Sequence, residues 1–332
     1  MGSVGPTGEG GRMRADVADW LRHRTFGPPF PSINELLEHK SGTTVSVVVP
    51  ALDEEATVGA VVSDVVDVLV AKGLVDEVVV VDSGSTDATA AVAADAGARV
   101  VHAARLLPEW PTSGKGAAVW RGVAAAKGDV LVLLDADLDP FDPDWAVRLL
   151  TPVLTDPGVA LVKAAADRPL TVEGVLHPRS GGRVTELVAR PLLGLLWPEL
   201  SGLVQPLSGE ICIRRSLFER LPMTTGYGLE IGMLLDAHRV AGLDAIAQAD
   251  LGERRHRHHP DRALGRMASA VVQAALERLI EEGALAPDRV RSRELVQFLR
   301  DDDGQLEASA VAVALERLPP LMSLTAYREA HA

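Results

Sequence analysis

The sequence has a single cysteine, fewer basic than acidic residues and no long apolar run. Cys212 alone can form neither an internal disulfide nor a cysteine-based zinc site, so a reducing cytoplasm is the expected setting. The 33 Lys and Arg residues against 46 Asp and Glu residues give a formal net charge of −13. Because nucleic-acid binding needs basic surface, this balance argues against a general nucleic-acid-binding protein.

Apolar runs stay well short of the roughly 18 to 20 residues that a membrane-spanning helix needs. Residues 1–11 are Gly-rich and polar and lack the apolar region of a secretory signal, so secretion is not expected. Hydrophobic residues make up 47% and charged residues 24% of the 332 residues, which is typical of a folded globular chain. We therefore predict a cytoplasmic protein without a membrane span.

Three common catalytic patterns are also missing. No G-x-G-x-x-G follows the first predicted strand, which disfavours a hydride-transfer enzyme. The string G-K-G at 114–116 is not a Walker A loop, because residue 109 is Glu rather than Gly and Gly116 replaces the required Ser or Thr. No G-x-S-x-G elbow occurs, so a serine hydrolase of that kind lacks support.

Strand and helix patterns alternate along the chain. Apolar runs predict strands, and apolar residues at helical spacing predict helices between them. The predicted strands are 45–49, 78–81, 99–102, 130–134 and 159–165, and the predicted helices are 58–69, 86–96, 115–126, 183–196 and 230–240. This alternation predicts an α/β fold with a mainly parallel, Rossmann-like sheet flanked by helices, whose ligands bind beyond the carboxyl ends of the strands.

The chain divides into three predicted regions. Residues 1–40 indicate a tail and a peripheral arm, in which G-P-P-F-P at 27–31 ends any helix begun near Ala15. Residues 41–260 hold the strand and helix pattern. Residues 261–332 are predicted to form a helical C-terminal extension, whose helices pack outside the sheet or against the second subunit of a homodimer.

Acidic residues follow the first two predicted strands. P-A-L-D-E-E at 50–55 ends strand one and opens a helix, where acids also have an ordinary structural role beside the helix dipole. D-S-G-S-T-D at 82–87 supplies an acid, a turn glycine and a helix cap after strand two. Neither string by itself decides between a structural and a functional role.

Asp135 and Asp137 lie where the apolar strand 130–134 leaves the core. Two neighbouring carboxylates repel each other unless a cation or solvent neutralises them, and such oxygen ligands suit Mg²⁺ or Mn²⁺ bridging a diphosphate. Lys115 opens the helix after strand three, where it can meet a phosphate. A surface turn is the alternative for the D-A-D string. The His-rich string at 253–260 is either a ligand-binding loop or a solvated basic loop.

Together these strings resemble the GT-A fold glycosyltransferases. Three later strings are similar to the glucosyl-3-phosphoglycerate synthase family of actinobacteria: G-R-V-T-E-L-V-A-R-P-L-L at 182–193, Q-P-L-S-G-E at 205–210 and G-Y-G-L-E-I-G at 226–232. The resemblance covers about residues 30–270. It implies a nucleotide-sugar half over 41–140 and an acceptor half over 141–260.

The resemblance also implies the site residues. The sugar-nucleotide site corresponds to Pro50, Ala51, Leu52, Asp53, Glu54, Ser83, Lys115, Asp135 and Ala136, and the segment facing the donor sugar to Tyr227, Gly228, Leu229 and Glu230. Asp137 and His256 would hold the Mg²⁺ or Mn²⁺. The acceptor would be bound by Gly182, Arg183, Val184 and Thr185, with His258 in a position where the family commonly has Asn.

The implied reaction moves glucose from a nucleoside diphosphate glucose, with UDP-glucose favoured, to the 2-hydroxyl of 3-phosphoglycerate with retention. Asp137, Lys115 and Glu230 are the implied catalytic residues: the metal and Lys115 stabilise the leaving diphosphate, and Glu230 orients the sugar. The alternatives are mannosyl transfer from GDP-mannose and a family-2-like transferase with another phosphorylated acceptor. Outside the class stand a nucleotidyltransferase and a non-catalytic sugar-nucleotide sensor.

Overall fold

The computed structural model describes residues 13–167, 170–172, 175–177, 182–254, 261–300 and 303–331. The strands are β1 Thr25–Phe26, β2 Val45–Ala51, β3 Glu77–Asp82, β4 Arg99–His102, β5 Val130–Leu133, β6 Leu161–Asp167, β7 Leu170–Val172, β8 Val175–His177, β9 Ile211–Arg214, β10 Met223–Thr224, β11 Ile246–Glu253, β12 Glu294–Arg300, β13 Leu306–Ala312 and β14 Arg317–Leu318. The α-helices are α1 Ala15–Arg24, α2 Ile33–Lys40, α3 Val58–Asp64, α4 Thr89–Asp95, α5 Lys115–Ala125, α6 Asp144–Thr155, α7 Arg190–Leu196, α8 Arg215–Phe218, α9 Leu229–Ala241, α10 Asp261–Glu281 and α11 Thr325–Ala330. No helix in these ranges is both long and apolar enough to cross a membrane.

Eight of these strands form the central sheet, in the order β1-β11-β6-β9-β5-β2-β3-β4. Every neighbouring pair is parallel except those of β9, which runs antiparallel to both β5 and β6. The predicted mainly parallel sheet with flanking helices is therefore confirmed. Its one antiparallel strand is inserted at the centre, where it separates β5 from β6.

Helices cover both faces of the sheet. Successive side chains of each strand point to opposite sides, and because both sets are apolar, each face needs a covering layer. On β2, Val48 belongs to one apolar core together with Trp120 of α5, whereas Val47 and Val49 belong to the other core together with Leu149 of α6. All of these side chains are fully buried. Burial on both faces explains the unbroken apolar strand runs in the sequence.

Most predicted elements within residues 45–240 are confirmed, with small shifts at their ends. The predicted helix 86–96 begins only at Thr89, whose backbone N–H donates to the Asp87 carboxylate at 3.0 Å. The predicted helix 58–69 is α3 continued by a π-helical turn over Val65–Val70. The predicted helix 183–196 likewise contains a π-helical turn, over Thr185–Ala189, ahead of α7.

The expectation that residues from about 261 onward form helices is correct for α10 and α11 and wrong for the chain between them. There β12 and β13 pair as an antiparallel ribbon, and β14 pairs with β10. The ribbon carries Val296 and Phe298, which favour strands, and it turns near Gly304, whose φ of +77° suits glycine. The C-terminal extension is thus mixed rather than helical.

Candidate active site

The site lies at the carboxyl edge of the sheet. Parallel strands bring their carboxyl ends to one edge, so the ends of β2, β3, β5, β6 and β11 lie there. The register pairs Ala51 with Asp82 and Asp167 with Glu253. The predicted residues that follow β2, β3 and β5 are consequently close together at this edge.

Hydrogen bonds join the loop after β2 to the loop after β3. Asp53, with a left-handed φ of 53°, accepts a hydrogen bond from the Thr86 backbone at 2.8 Å, and its own N–H donates to Ser85 Oγ at 3.0 Å. The N–H of Ser83 donates to the carbonyl of Ala51 at 3.0 Å. These bonds bring most of the predicted sugar-nucleotide residues into one wall: Pro50, Ala51, Leu52, Asp53, Glu54 and Ser83. The acidic residues of the P-A-L-D-E-E string at 50–55 therefore stabilise this wall through hydrogen bonds, in addition to preceding a helix.

Lys115 is the centre of the site's charge cluster. Its Nζ lies 2.6 Å from Asp135 Oδ1 and 3.0 Å from Glu230 Oε1. Burial alone would lower the pKa of Lys115, but attraction to the two carboxylates outweighs it and raises the pKa above its ordinary value. The side chain is therefore a cation at neutral pH, at the N-terminus of α5.

Two further charged residues complete the cluster, and sequence reasoning missed both. Arg254 Nη2 lies 3.3 Å from Asp135 Oδ2 and 2.7 Å from Glu210 Oε1, and Glu210 is fully buried and accepts a hydrogen bond from Ser208 Oγ at 2.6 Å. Burial opposes the charge on Arg254, but Glu210 and Asp135 outweigh it and raise its pKa. The sequence did contain a signal for both residues, because Glu210 ends the Q-P-L-S-G-E string and Arg254 directly follows β11.

Asp137 adds a further carboxylate to the site, and its charge attracts that of Arg254 at longer range. It is half-buried, and among the residues that the structure describes it forms no hydrogen bond or salt bridge. Ala136 beside it is buried, whereas Asp135 already contacts Lys115 and Arg254. A half-buried carboxylate beside a cluster that holds more carboxylates than cations fits a hard cation such as Mg²⁺ or Mn²⁺.

A complete set of metal ligands is not visible in the part of the chain that the structure describes. No group of three or more His, Cys, Asp or Glu side chains that could hold an ion occurs there. The predicted ligand His256 and the predicted acceptor residue His258 both lie outside the described residues. Their assignments stay predictions.

The predicted donor-sugar segment packs beside Lys115. Tyr227 and Gly228 lie in a 3-10 turn over Gly226–Gly228, directly before α9, and Glu230 follows in the first turn of that helix. A Cβ added at Gly114 would lie 2.9 Å from the Gly226 nitrogen, so the start of α5 and this turn are in close backbone contact. The ring of Tyr227 is exposed.

The predicted acceptor segment packs against the Q-P-L-S-G-E string. Thr185 is buried, and Gly182 has a left-handed φ of +78°. A Cβ added at Gly182 would lie 3.7 Å from Gln205 Oε1, which places this segment against the Q-P-L-S-G-E string that leads to Glu210. Arg183 and Val184, which lie between Gly182 and Thr185 in the sequence, are half-buried. The structure thus places Gly182 beside Gln205, the first residue of the string that ends in Glu210.

We expect Gly209→Ala to lower kcat about 10- to 100-fold, because misplacing reacting groups by about 1 Å has effects of that size. Its added Cβ would lie 2.5 Å from Lys115 Nζ and 2.7 Å from Asp135 Oδ2, which forces the pair apart. Gly194→Ala is the matched control, since an added Cβ there meets nothing within 4 Å. Equal rates for the two variants in a steady-state transfer assay would contradict the assignment of this cluster to catalysis.

Comparison with known proteins agrees with this architecture. The family model "Glycosyl transferase family 2" matches residues 46–221. The protein is therefore a glycosyltransferase with a GT-A type of fold, as its sheet and its charged carboxyl edge suggest.

Individual relatives are more specific. The chain is 44% identical to glucosyl-3-phosphoglycerate synthase of Mycolicibacterium smegmatis, over 92% of this chain and 98% of that protein. It is 49% identical to the enzyme of the same name from Mycobacterium tuberculosis H37Rv, over 90% of this chain and 91% of that protein. The chain belongs to the glucosyl-3-phosphoglycerate synthase family, which confirms the resemblance found in its sequence.

Two solved structures are close to this one. One is the Mycobacterium tuberculosis glucosyl-3-phosphoglycerate synthase in complex with Mn²⁺, UDP-glucose and phosphoglyceric acid, with a TM-score of 0.79 and 43% identity over 90% of this chain and 98% of that one. The other is mannosyl-3-phosphoglycerate synthase from Rubrobacter xylanophilus, with a TM-score of 0.85 and 39% identity over 93% of this chain and 99% of that one.

Proposed function

We propose that the protein transfers glucose from UDP-glucose to the 2-hydroxyl of 3-phosphoglycerate, with retention at the anomeric carbon, to give glucosyl-3-phosphoglycerate. The observation that carries the proposal is the cluster of Lys115, Asp135 and Glu230 at the carboxyl edge of the sheet, in a chain 43% identical to a protein solved with UDP-glucose and phosphoglyceric acid. A further structure of that relative contains UDP and glucosyl-3-phosphoglycerate.

The cationic side chain of Lys115 stabilises the leaving diphosphate. Breaking the bond between glucose and the diphosphate leaves negative charge on the phosphate oxygens, and a preorganised donor aimed at that charge lowers the barrier. Asp135 and Glu230 hold the ammonium group in place from two sides. Its hydrogen bonds can therefore strengthen as charge develops, without a large rearrangement.

Asp137 is the residue that we assign to the metal, with His256 as its proposed partner. When bound, Mg²⁺ or Mn²⁺ supplies Lewis-acid stabilisation of the departing diphosphate. Arg254 pairs with Glu210 and with the Asp135 oxygen that Lys115 leaves, so that two cations partly balance the three carboxylates of the cluster. This balance limits the repulsion that the buried Glu210 would otherwise exert on a diphosphate.

Glu230 orients the sugar. Its carboxylate is held by Lys115 at the start of α9, in the segment proposed to face the glucose. A carboxylate accepts hydrogen bonds from sugar hydroxyls, which fixes the ring relative to the acceptor. For retention, the departing phosphate oxygen takes the proton of the acceptor hydroxyl on the same face of the sugar.

Arg183, Thr185 and His258 are the residues proposed to bind the acceptor. A carboxylate and a phosphate on one small molecule require local positive charge in a chain of net charge −13, and a guanidinium binds either group well. We keep the nucleotide-sugar half over 41–140, the acceptor half over 141–260 and the extension over 261–332 as a proposed division. A homodimer and a cytoplasmic location are likewise proposed.

We expect Arg183→Ala to raise KM for 3-phosphoglycerate about 10- to 100-fold, because a charge-assisted contact contributes about 1.5 to 3 kcal/mol. KM for UDP-glucose should stay close to that of the wild type. Arg220→Ala removes an exposed arginine that lies just after α8 and donates to the Ser216 carbonyl at 2.8 Å, and it serves as the control. A defect of Arg183→Ala confined to the donor would show that the acceptor site lies elsewhere.

Mannosyl transfer from GDP-mannose is the second candidate, favoured by the TM-score of 0.85 to a mannosyl-3-phosphoglycerate synthase. A family-2 transferase with another phosphorylated acceptor is the third.

The test of these candidates is a turnover panel that crosses UDP-glucose, GDP-glucose and GDP-mannose with 3-phosphoglycerate, 2-phosphoglycerate, glycerate and phosphoenolpyruvate. We expect the highest kcat/KM for UDP-glucose with 3-phosphoglycerate. Preference for GDP-mannose would establish the second candidate, and indifference to the acceptor's phosphate would contradict the proposed acceptor.

A further inference from the structure

The C-terminal extension contacts the active site through a segment that we call the C-terminal strap, residues 313–320. Its strand β14 pairs antiparallel with β10, so that Thr224 faces Arg317 and Met223 faces Leu318. These β10 residues are buried and directly precede the turn Gly226–Gly228. The strap therefore lies against the segment that leads into Glu230.

Two hydrogen bonds and one apolar contact fix the turn itself to the strap. The N–H of Thr225 donates to the carbonyl of Glu316 at 2.9 Å, and the N–H of Glu316 donates to Thr225 Oγ1 at 2.9 Å. Leu315 is buried over the glycines, since a Cβ added at Gly228 would lie 3.0 Å from its Cδ1. The strap thus holds the start of the turn through Thr225 and its glycines through Leu315.

A buried carboxylate anchors the strap to the helix that carries Glu230. Asp236 of α9 is fully buried and forms two salt bridges. Its Oδ2 lies 2.6 Å from Arg278 Nη2 of α10, and its Oδ1 lies 3.0 Å from Arg317 Nη2 of the strap. Arg278 Nη2 also donates to Thr224 Oγ1 at 2.8 Å. Gly232 makes room for this arginine, because a Cβ there would lie 2.6 Å from Arg278 Nη2.

We propose that the C-terminal strap is a positioning element of the active site, which holds the turn Gly226–Gly228, and with it Glu230, against Lys115 through Thr225, Leu315 and the pair of Arg317 with Asp236. The effect on transfer rests on the function proposed above. The strap contacts neither Lys115 nor Asp135 directly among the described contacts, although Pro319 also accepts a hydrogen bond from Trp120 of α5 at 2.9 Å. The contacts made through Thr225, Leu315 and Arg317 lead to Glu230.

Arg317 is the residue to test, because its side chain is about 21% exposed and its loss leaves Arg278 paired with Asp236. We expect Arg317→Ala to speed amide hydrogen exchange in residues 223–230 and to lower kcat about tenfold, while KM for 3-phosphoglycerate is unchanged. In a Glu230→Gln background, Arg317→Ala should reduce kcat further by less than about twofold, because residues that act through one another are non-additive.

Tyr327→Phe is the matched control. It removes the hydrogen bonds of Tyr327 with Arg215 and Glu219, which tie the same extension to the chain at α8. This variant should lose thermal stability but leave both kcat and the exchange of residues 223–230 unchanged. Equal exchange of residues 223–230 in Arg317→Ala and the wild type would overturn the proposal. Because exchange needs no substrate, it decides the strap's role even if the wild type fails to transfer glucose, which would instead refute the proposed function.

Discussion

Asp137→Ala is expected to lower kcat more than about 10³-fold, because the metal supplies several kcal/mol of transition-state stabilisation and each 1.36 kcal/mol is a factor of ten. The half-buried carboxylate forms no hydrogen bond or salt bridge in the described chain, and Arg254, whose charge it also attracts, would keep its salt bridges with Asp135 and Glu210. The folded state should therefore persist, with an unfolding temperature close to that of the wild type.

The binding of Mn²⁺ separates this explanation from a general loss of structure. Titration of Mn²⁺ in the presence of UDP, followed by electron paramagnetic resonance, should show weakened binding in Asp137→Ala. Asp139→Ala is the control, since it removes an exposed carboxylate two residues along the same loop and should bind Mn²⁺ normally. Near-normal turnover by Asp137→Ala, or full wild-type activity in excess EDTA, would contradict the assignment.

Lys115→Met should lower kcat about 10²- to 10³-fold, the range seen when one preorganised donor to a developing negative charge is removed. Methionine keeps much of the length of lysine but cannot donate to a diphosphate. Asp135 retains its contact with Arg254 in this variant, whereas Glu230 loses the partner that fixes it. We therefore expect a fall in kcat together with a smaller increase in KM for UDP-glucose.

Steady-state kinetics of Lys115→Met and Lys127→Met test this prediction together. Lys127 is exposed just beyond the other end of α5, so its replacement removes the same charge without reaching the site. The control should keep wild-type parameters. A kcat for Lys115→Met within about threefold of the wild type would mean that Lys115 stabilises the fold rather than the leaving group.

The parts of the site that sequence reasoning placed correctly are those that follow from local order. Apolar runs identified β2, β3 and β5, and parallel strands bring their carboxyl ends together, so Asp53, Ser83 and Asp135 had to lie at one edge. Lys115 followed in the same way, from the helix that opens at G-K-G. The pattern also suggested that Asp135 and Asp137 bind a cation and that Lys115 meets a phosphate, whereas the roles of Asp53 and Ser83 came from the resemblance.

The contact between Glu210 and Arg254 was not predicted, because it depends on the order of the strands across the sheet. Glu210 immediately precedes β9, the antiparallel strand between β5 and β6, whereas Arg254 follows β11 on the far side of β6. No local pattern states that β9 is inserted there. Periodicity alone also failed for the ribbon β12–β13, because short apolar runs do not distinguish a strand from a helix.

One measurement tests the central claim of glucosyl transfer most directly. The wild-type protein is incubated with UDP-glucose labelled with ¹³C in the sugar, Mn²⁺ and 3-phosphoglycerate, and the products are identified by NMR. We predict UDP and an α-linked glucoside of 3-phosphoglycerate in equal amounts, and neither without the acceptor. Release of pyrophosphate would instead identify a nucleotidyltransferase, and donor binding without any labelled product would identify a sensor, either of which would contradict the account.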